Sequence, residues 1–512
     1  MNLLFELDLA KAPKGSREIA DTLYRQLEGA IRDGRLKPGA RLPSTRSAQT
    51  AFGVSRNTAH EVYERLIHAG LATARHGSGT FVSCPPSEPG LAEQREFPGA
   101  PDMRLNGFWL RQDVSAAIGF WQEPPRTTQP VTSAVDLRPA LIDPRTFPFA
   151  AFRRIMVKQL RRLETRPASF KSPQGNQGNF HLRRAIADHI ALTRAVACHP
   201  EEILVTSGAQ QAFDLIARAL VKPGETVVAV EDPGYPPMRV PFAAAGARLV
   251  PVRVDAEGLV VGEIPPDANI VCVCPSHQFP LGMSMSPARR RALVQFAART
   301  GAVIVEDDYD GEFRFDGKPL EALRTTTSRD EVFYVGSFSK CMLPSLRLGF
   351  IIPPRWARDT LVAAKNALDW NCSVPLQLAV AAFIAEGHLS RHVRRLRRIY
   401  GNRRDHLLTI LDAVIGETLQ PIPSSYGMHI TALADDTVDC EAVSAILAEQ
   451  GIHVHALDRY YLGTVARSGF VLSYASADEA ALVMAVEALA QALASLESQS
   501  RMVRKAVAPG PS

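Results

Sequence analysis

Five short apolar runs in this chain each hand over to residues with chemistry to offer. ILVT (203–206) is followed by Ser207, Gly208, Ala209 and Gln210, and VVAV (227–230) by EDPGYPP, which presents Tyr235. IVCVC (270–274) leads to PSHQFPLG, presenting Ser276, His277 and Gln278, and AVIVE (302–306) leads to Asp307 and Tyr309. VFYV (332–335) leads to Gly336, Ser337, Phe338, Ser339 and Lys340, with Arg347 seven residues on. A lysine amine can form a Schiff base, and a buried carboxylate can keep a pyridine nitrogen protonated. An aromatic ring can stack on a heterocycle, and a phenol can donate to a phenolate oxygen. Small residues at a helix N-terminus, with serines and an arginine, can cradle a phosphate. Pyridoxal 5′-phosphate uses all of these groups. Lys340 is then the Schiff-base amine, Asp307 the pyridine-nitrogen partner, Tyr235 the stacking ring and Tyr309 the phenolate donor. Ser207, Gly208, Ala209, Gln210, Ser337, Ser339 and Arg347 form the phosphate cup. Alone each group is commonplace, since a strand-end Asp often caps a helix and a Lys is usually solvated.

Convergence requires that the runs be strands of one sheet. In an open α/β sheet, ligands bind outside the carboxyl ends of the strands. LVPVRV (249–254) and LGFII (348–352) extend the strand set, and helical stretches such as PARRRALVQFAART (287–300) lie between. That alternation predicts an α/β fold with a mostly parallel sheet covered on both faces. After residue 380 the pattern turns helical. A last helix near 478–496 spaces Leu482, Val486, Leu489, Leu493 and Leu496 at three or four residues, a core stripe.

The 512 residues predict two or more domains, and 46% apolar content excludes wholesale disorder. The net charge of +5 is unevenly placed: residues 1–83 carry 12 basic and 8 acidic side chains, and Arg501, Arg504 and Lys505 sit in the tail. No uninterrupted apolar stretch reaches the roughly 18 residues of a membrane span, and MNLLFELDLAK has acids where a signal peptide has none. The seven cysteines lack zinc-like spacing, Cys272 and Cys274 reading as core thiols, so no metal is expected. A soluble, cytoplasmic protein with no membrane partner is the expectation.

The basic N-terminal part reads as a nucleic-acid module. Ile19, Leu23, Leu27 and Ile31 mark one helix, Ser44 caps a short second helix closing at Gly53, and Ser55 caps a third with Ala59, Val62 and Leu66 inward. Two helices about a tight Gly turn make a helix-turn-helix. Ser55, Arg56, Asn57 and Thr58 open the reader helix, where side chains meet base edges and phosphates in the major groove. ATARHGSGTFV is a wing that places Arg75, His76 and Gly77 near the backbone, and Arg46 completes the DNA-facing set. Boundaries follow: 12–83 for the winged helix-turn-helix, 84–135 for a Pro-rich linker, 136–500 for the cofactor-binding domain and 501–512 for a flexible basic tail. Phe108, Trp109, Phe120 and Trp121 predict that part of the linker docks on a surface.

RLKPGARLPSTR, GVSRNT and RHGSGTFV resemble the winged helix of the GntR class of bacterial regulators. VTSGAQQAFDL, EDPGYPP, PSHQFPLGMSMS, VEDDYDGEFRF and GSFSKCMLPSLRLGF resemble the fold-type I aminotransferase domain of MocR/GabR-type regulators, over about 136–497. The resemblance implies a large, mostly parallel sheet domain plus a smaller C-terminal α+β domain. It also implies a homodimer and operators with repeated half-sites. The roles of Lys340, Asp307, Tyr309 and Tyr235 carry over unchanged. Three positions depart from ordinary aminotransferases. Phe279 replaces the Asn of N-P-x-G, leaving Tyr309, with Gln278 or His277, to serve the phenolate oxygen. Phe170 replaces a phosphate-binding Tyr, and the substrate-carboxylate arginine has only Arg467 as a candidate. These departures count against efficient transamination and leave cofactor binding intact. The expected function is a transcription regulator sensing an amino-compound effector, or pyridoxal phosphate itself, through an aldimine at Lys340. The alternative is an active aminotransferase with an accessory DNA-binding domain.

Overall fold

The computed structural model describes residues 16–75, 78–83, 105–121, 135–139, 141–165, 176–315, 321–326 and 331–507. The chain falls into two units, Met1–Leu105 and Asn106–Ser512.

In the first unit, α1 (Ser16–Arg32), α2 (Ala48–Phe52) and α3 (Arg56–His68) precede an antiparallel hairpin of β1 (Ala72–Arg75) and β2 (Gly79–Val82). Leu23, Leu27 and Ile31 of α1 pack with Leu42, Phe52, Val54, Val62, Leu66 and Val82. Gly53 ends α2 at φ +69°, a conformation that only glycine adopts without strain. Ser44 Oγ accepts the Ser47 N–H at 3.1 Å, and Ser55 Oγ accepts that of Thr58 at 3.1 Å. Arg65 Nη1 meets Asp21 Oδ1 at 2.5 Å, tying α3 to α1.

The second unit opens with α4 (Gln112–Ile118), β3 (Val135–Asp136), α5 (Phe149–Thr165) and α6 (Phe180–Arg194). Its main sheet is built from β4 (Leu204–Thr206), β5 (Val227–Asp232), β6 (Arg248–Asp255), β7 (Gly258–Leu259), β8 (Ile270–Val273), β9 (Val303–Asp308), β10 (Val332–Ser337) and β11 (Gly349–Ile352). They stand in the order β4-β11-β10-β9-β8-β5-β6-β7. β10, β9, β8, β5 and β6 are mutually parallel, whereas β11 runs antiparallel to both neighbours and β7 to β6. The sheet is therefore mixed but mostly parallel, as expected. Crossovers run through α7 (Ala209–Leu220), α8 (Pro236–Ala244) and α9 (Pro287–Thr300). Strand residues such as Val228 and Val230 pack on one face and Val227, Ala229 and Val271 on the other, which is why these strands read as unbroken apolar runs.

The C-terminal part carries α10 (Arg358–Leu368), α11 (Val374–Ala385), α12 (His388–Ile415) and α13 (Cys440–Glu449). A four-stranded antiparallel sheet is formed by β12 (Leu419–Pro421), β13 (His429–Ala434), β16 (Gly469–Ser473) and β15 (His455–Ala456), and β14 (Ile452–His453) pairs with β3.

The last helix, α14 (Glu479–Val507), continues past the expected start of a tail at residue 501. Nothing between 497 and 507 breaks a helix, and the first Pro is Pro509. Glu479–Leu496 has the length and hydropathy to cross a membrane, but Leu482, Val486, Leu489 and Leu493 are packed into the core. The stretch expected to link the domains contributes α4 to the second unit, with Val114, Ala117 and Phe120 buried.

Replacing the Ser55 cap by Ala is expected to cost the winged helix about 1 kcal/mol, and by Gly only a few tenths. Thermal unfolding of the full chain checks this through the first unit's transition. Equal melting of Ser55→Ala and wild type would contradict the capping role.

Candidate functional site

The strand period separates the acids of VEDDYD. Along β9, Glu306 and Asp308 share one face while Val305 and Asp307 share the other. On the first face both carboxyls have protein partners, although Asp308 Oδ1 has no hydrogen bond among the described residues. Glu306 accepts the N–H of Leu323 at 2.8 Å and of Arg324 at 3.2 Å, and Asp308 meets Arg194 Nε at 2.5 Å and the Tyr334 hydroxyl. Asp307 is 4% exposed, its Oδ1 has no hydrogen-bond partner among the described residues, and its Oδ2 has Cys274 Sγ at 4.0 Å. Burial, reinforced by Asp308 and Asp310, raises its pKa to about 8.

Asp307 lines a cavity of about 590 Å³ with Tyr309, Tyr235, Phe279, Lys340 and Arg347. Burial lowers the Lys340 ammonium to about 8, against the opposing pull of Asp310 and Asp307. The shift makes the neutral, nucleophilic amine easier to reach than in an ordinary lysine. An unpartnered oxygen of Asp307 and the amine of Lys340 facing one cavity fit the pyridine nitrogen and the aldehyde of pyridoxal phosphate.

Five of the seven residues expected in the phosphate cup line the cavity. Ala209 and Gln210 at the start of α7, with Ser337, Ser339 and Arg347, line the cavity. Ser207 does not; its carbonyl accepts from Arg347 Nη2 at 3.1 Å and its hydroxyl lies 3.4 Å from Cys372 Sγ. Gly208, at φ +83°, leaves room for that guanidinium, because a Cβ there would stand 3.2 Å from Nη2.

Tyr309 Oη lies 2.7 Å from His277 Nδ1, which also lies 2.8 Å from Asp310 Oδ2. An ionised Asp310 only accepts, so the shared proton belongs on Nδ1. The Tyr309 hydroxyl proton then points away from His277 and is available to the cavity. Asp310 lies beyond the strand end, where no sequence period marks it. Phe279 stands edge-on to Tyr235 at 5.6 Å and to Tyr309 at 5.7 Å, packing the place where an amide was expected in ordinary aminotransferases.

Two further expected site residues, besides Ser207 and Gly208, do not line the cavity. Gln278 is buried, its Nε2 donating to the carbonyls of Pro233 and Phe279 at 2.8 Å each and its Oε1 accepting from Leu281 N–H at 3.0 Å. Its hydrogen bonds shape the loop, and it does not line the cavity. Arg467 is exposed before β16 and is likewise absent from the lining. Phe170 lies outside the described residues. Sequence reasoning missed Ala117 and Ile118 of α4 and Leu141, which wall the cavity without chemical groups of their own.

In the first unit, Arg46, Ser55, Arg56 and Asn57 are exposed at the start of the reader helix and before it. Thr58, expected beside them, is 7% exposed, because its hydroxyl turns back to Ser55 Oγ at 2.8 Å. It belongs to the cap. In the wing, the exposed Arg75 guanidinium lies over the Phe81 ring at 5.0 Å, with Arg41 at 6.0 Å. His76 and Gly77 lie outside the described residues.

The model of the gntR family of bacterial regulatory proteins matches residues 19–82, and that of aminotransferase class I and II matches 148–489. The probable rhizopine catabolism regulatory protein MocR of Rhizobium meliloti is 32% identical, over 94% of each chain. The pyridoxine biosynthesis regulator PdxR of Corynebacterium glutamicum is also 32% identical, over 93% of this chain and 96% of its own. Among solved structures, the α-aminoadipate aminotransferase LysN of Thermus thermophilus, complexed with N-(5′-phosphopyridoxyl)-L-leucine, is 25% identical with a TM-score of 0.65. That match covers 75% of this chain and 97% of LysN.

Asp307 sets a pH test on the cofactor-free protein. Its folded pKa of about 8 exceeds the ordinary carboxyl value of 3.8, so between the two the folded state holds a proton that the unfolded state has lost. The penalty is absent below both values, grows with pH between them and levels off above the higher one. Asp307→Asn removes it. The variant's stability advantage in urea unfolding is expected to be nil near pH 4 and to climb by about 1 kcal/mol per pH unit towards pH 8. Parallel pH profiles for variant and wild type would contradict the burial.

Proposed function

The chain belongs to the MocR-type branch of the GntR regulators, a winged helix-turn-helix fused to an aminotransferase class I and II domain, and on that premise we propose that its second unit is a sensor built around pyridoxal 5′-phosphate. The chain is a DNA-binding transcriptional regulator. In our reading the sensor holds the cofactor on Lys340 and responds to an amino compound or to the cofactor itself. It acts in the cytoplasm, as a homodimer on repeated half-sites. The observation that carries the reading is the pairing of Asp307, buried with one oxygen unsatisfied, with Lys340 across the same cavity.

Bound cofactor supplies an aldehyde for amines and a ring that withdraws electrons. The rest falls to the chain's own residues. Asp307 Oδ1 would accept the pyridine N–H, the cation that its buried charge requires. Ala209, Gln210, Ser337, Ser339 and Arg347 would bind the phosphate, the guanidinium oriented by the Ser207 carbonyl. Tyr309, held by His277, would donate to the phenolate oxygen, and Tyr235 would cover the ring. Lys340 Nζ, whose charge Asp307 and Asp310 favour against burial, would bear that charge when not bonded to the cofactor, so the liganded state would have a different internal ion balance. Such a difference between states is what an effector must produce to shift a regulator.

The cavity's lining supports sensing over efficient amino transfer. Among the described residues its cations are Lys340 and Arg347, both engaged by the cofactor in this reading, which leaves no arginine for a substrate carboxylate.

Two experiments test this. Purified protein given pyridoxal phosphate is expected to acquire the visible band of lysine-bound cofactor, and Lys340→Ala to lack it. Candidate amines should shift the band without sustained keto acid production; rapid turnover would instead favour the aminotransferase. On DNA, Arg56→Ala or Asn57→Ala should lose about 1–3 kcal/mol of sequence discrimination, measured as operator against random duplex. Arg75→Ala should weaken both duplexes alike and reduce the salt slope by about one. Wild-type binding by all three variants would contradict the reader and wing.

A further inference from the structure

A second cavity in the same unit, of about 740 Å³, shares only Ala117 of α4 and Val240 of α8 with the one that holds Lys340. Its walls are α4, α8, α13 and the stretch from His453 to Leu462. Val114, Ala243, Leu249, Ala448 and Val454 make an apolar floor.

The charged groups around that floor are unequally satisfied. Arg138 is held by Asp136 at 2.5 Å, and Asp113 by Arg111 at 2.6 Å. Arg459 and Glu441 are exposed at the rim. Arg239 is different. It is 7% exposed, and its Nη2 donates to the Tyr460 carbonyl. Its nearest carboxylate, Asp232 Oδ1, stands 3.9 Å away and already accepts the Leu462 N–H at 2.7 Å, while Asp232 Oδ2 accepts that of Gly463 at 3.0 Å. Arg239 Nε has no hydrogen-bond partner among the described residues. A buried guanidinium with an idle donor and only a distant, shared counter-ion is costly unless an anion completes it. His455 is buried with Nδ1 2.8 Å from the Tyr460 hydroxyl, and burial lowers its pKa to about 3, so its neutral ring adds a polar edge without charge.

We propose that this cavity is a second small-molecule site, taking a monocarboxylic acid with a short carbon chain. The carboxylate would sit on Arg239, with Arg459 at the entrance, and the chain on the apolar floor. The acids Asp113 and Glu441 in the lining set it against multiply charged phosphates. The proposal stands apart from the reading of Lys340, because no polar group is common to the two cavities. A ligand there would touch α4, whose Ala117 also walls the cofactor cavity, so occupancy of one cavity bears on a wall of the other.

Pentanoate is a suitable probe, since it carries no amine and cannot engage Lys340. Titrated calorimetrically into the full-length, cofactor-loaded protein, it is expected to bind one site per chain and to leave the visible absorption unchanged. Inorganic phosphate should not compete. Arg239→Gln should weaken pentanoate at least tenfold, the loss of a charge-assisted hydrogen bond. Ala445→Trp, on the exposed side of α13, should abolish binding by filling the cavity, and it decides the matter if Arg239→Gln fails to fold. Absence of saturable binding, wild-type affinity in Ala445→Trp, or binding that disappears only in Lys340→Ala would overturn the proposal.

Discussion

A carboxyl group buried at the carboxyl end of β9, with one oxygen unsatisfied, is the constraint around which the second unit is arranged. A parallel strand covered on both faces has no water with which to solvate its terminal side chains. The chain meets this for Glu306 with backbone amides and for Asp308 with Arg194 and Tyr334. Asp307 Oδ1, like Asp308 Oδ1, has no hydrogen-bond partner among the described residues, but Asp307 alone of the three lines the cavity. The same withdrawal from water that raises Asp307 lowers Lys340 on the neighbouring strand's loop, so one physical cause prepares both the cation acceptor and the amine. Parallel pairing of β9 with β10, Val335 opposite Asp307, sets those two groups on one edge.

Around that pair, the loops divide the work between chemistry and shape. The β8 loop contributes His277, which orients Tyr309, and Gln278, which spends its amide on the loop itself. Phe279 places an apolar edge against both tyrosines. The site therefore has strong means of holding a cofactor and few of holding a charged substrate. In a regulator, ligand residence and the change of state it brings matter more than the rate of chemistry. In the first unit, Ser55 and Thr58 close the helix cap, and Arg56 and Asn57 remain exposed.

Much of this was legible in the sequence, for identifiable reasons. Runs such as VVAV and IVCVC are unbroken because both faces of a parallel strand are buried, and the residues after them fall on one edge by topology alone. Capping chemistry marked the reader helix through Ser55. Other features left no such mark. α4 is seven residues long and buries only Val114 and Ala117, too little for a helical period to emerge. Gln278 and Thr58 have polar side chains turned to local backbone or cap partners, a choice of rotamer rather than of residue type. Arg467 has a suitable charge but lies on an exposed loop.

The account rests on Asp307 waiting for a cation that the cofactor brings. The most direct test is the dissociation constant of pyridoxal 5′-phosphate, measured by equilibrium dialysis for wild type and Asp307→Ala, with circular dichroism confirming that both are folded. A loss of affinity of about a hundredfold or more is expected, corresponding to roughly 3 kcal/mol for one charged partner of a buried pair. Equal affinity in the two proteins would mean that the buried carboxylate serves the fold and not the cofactor.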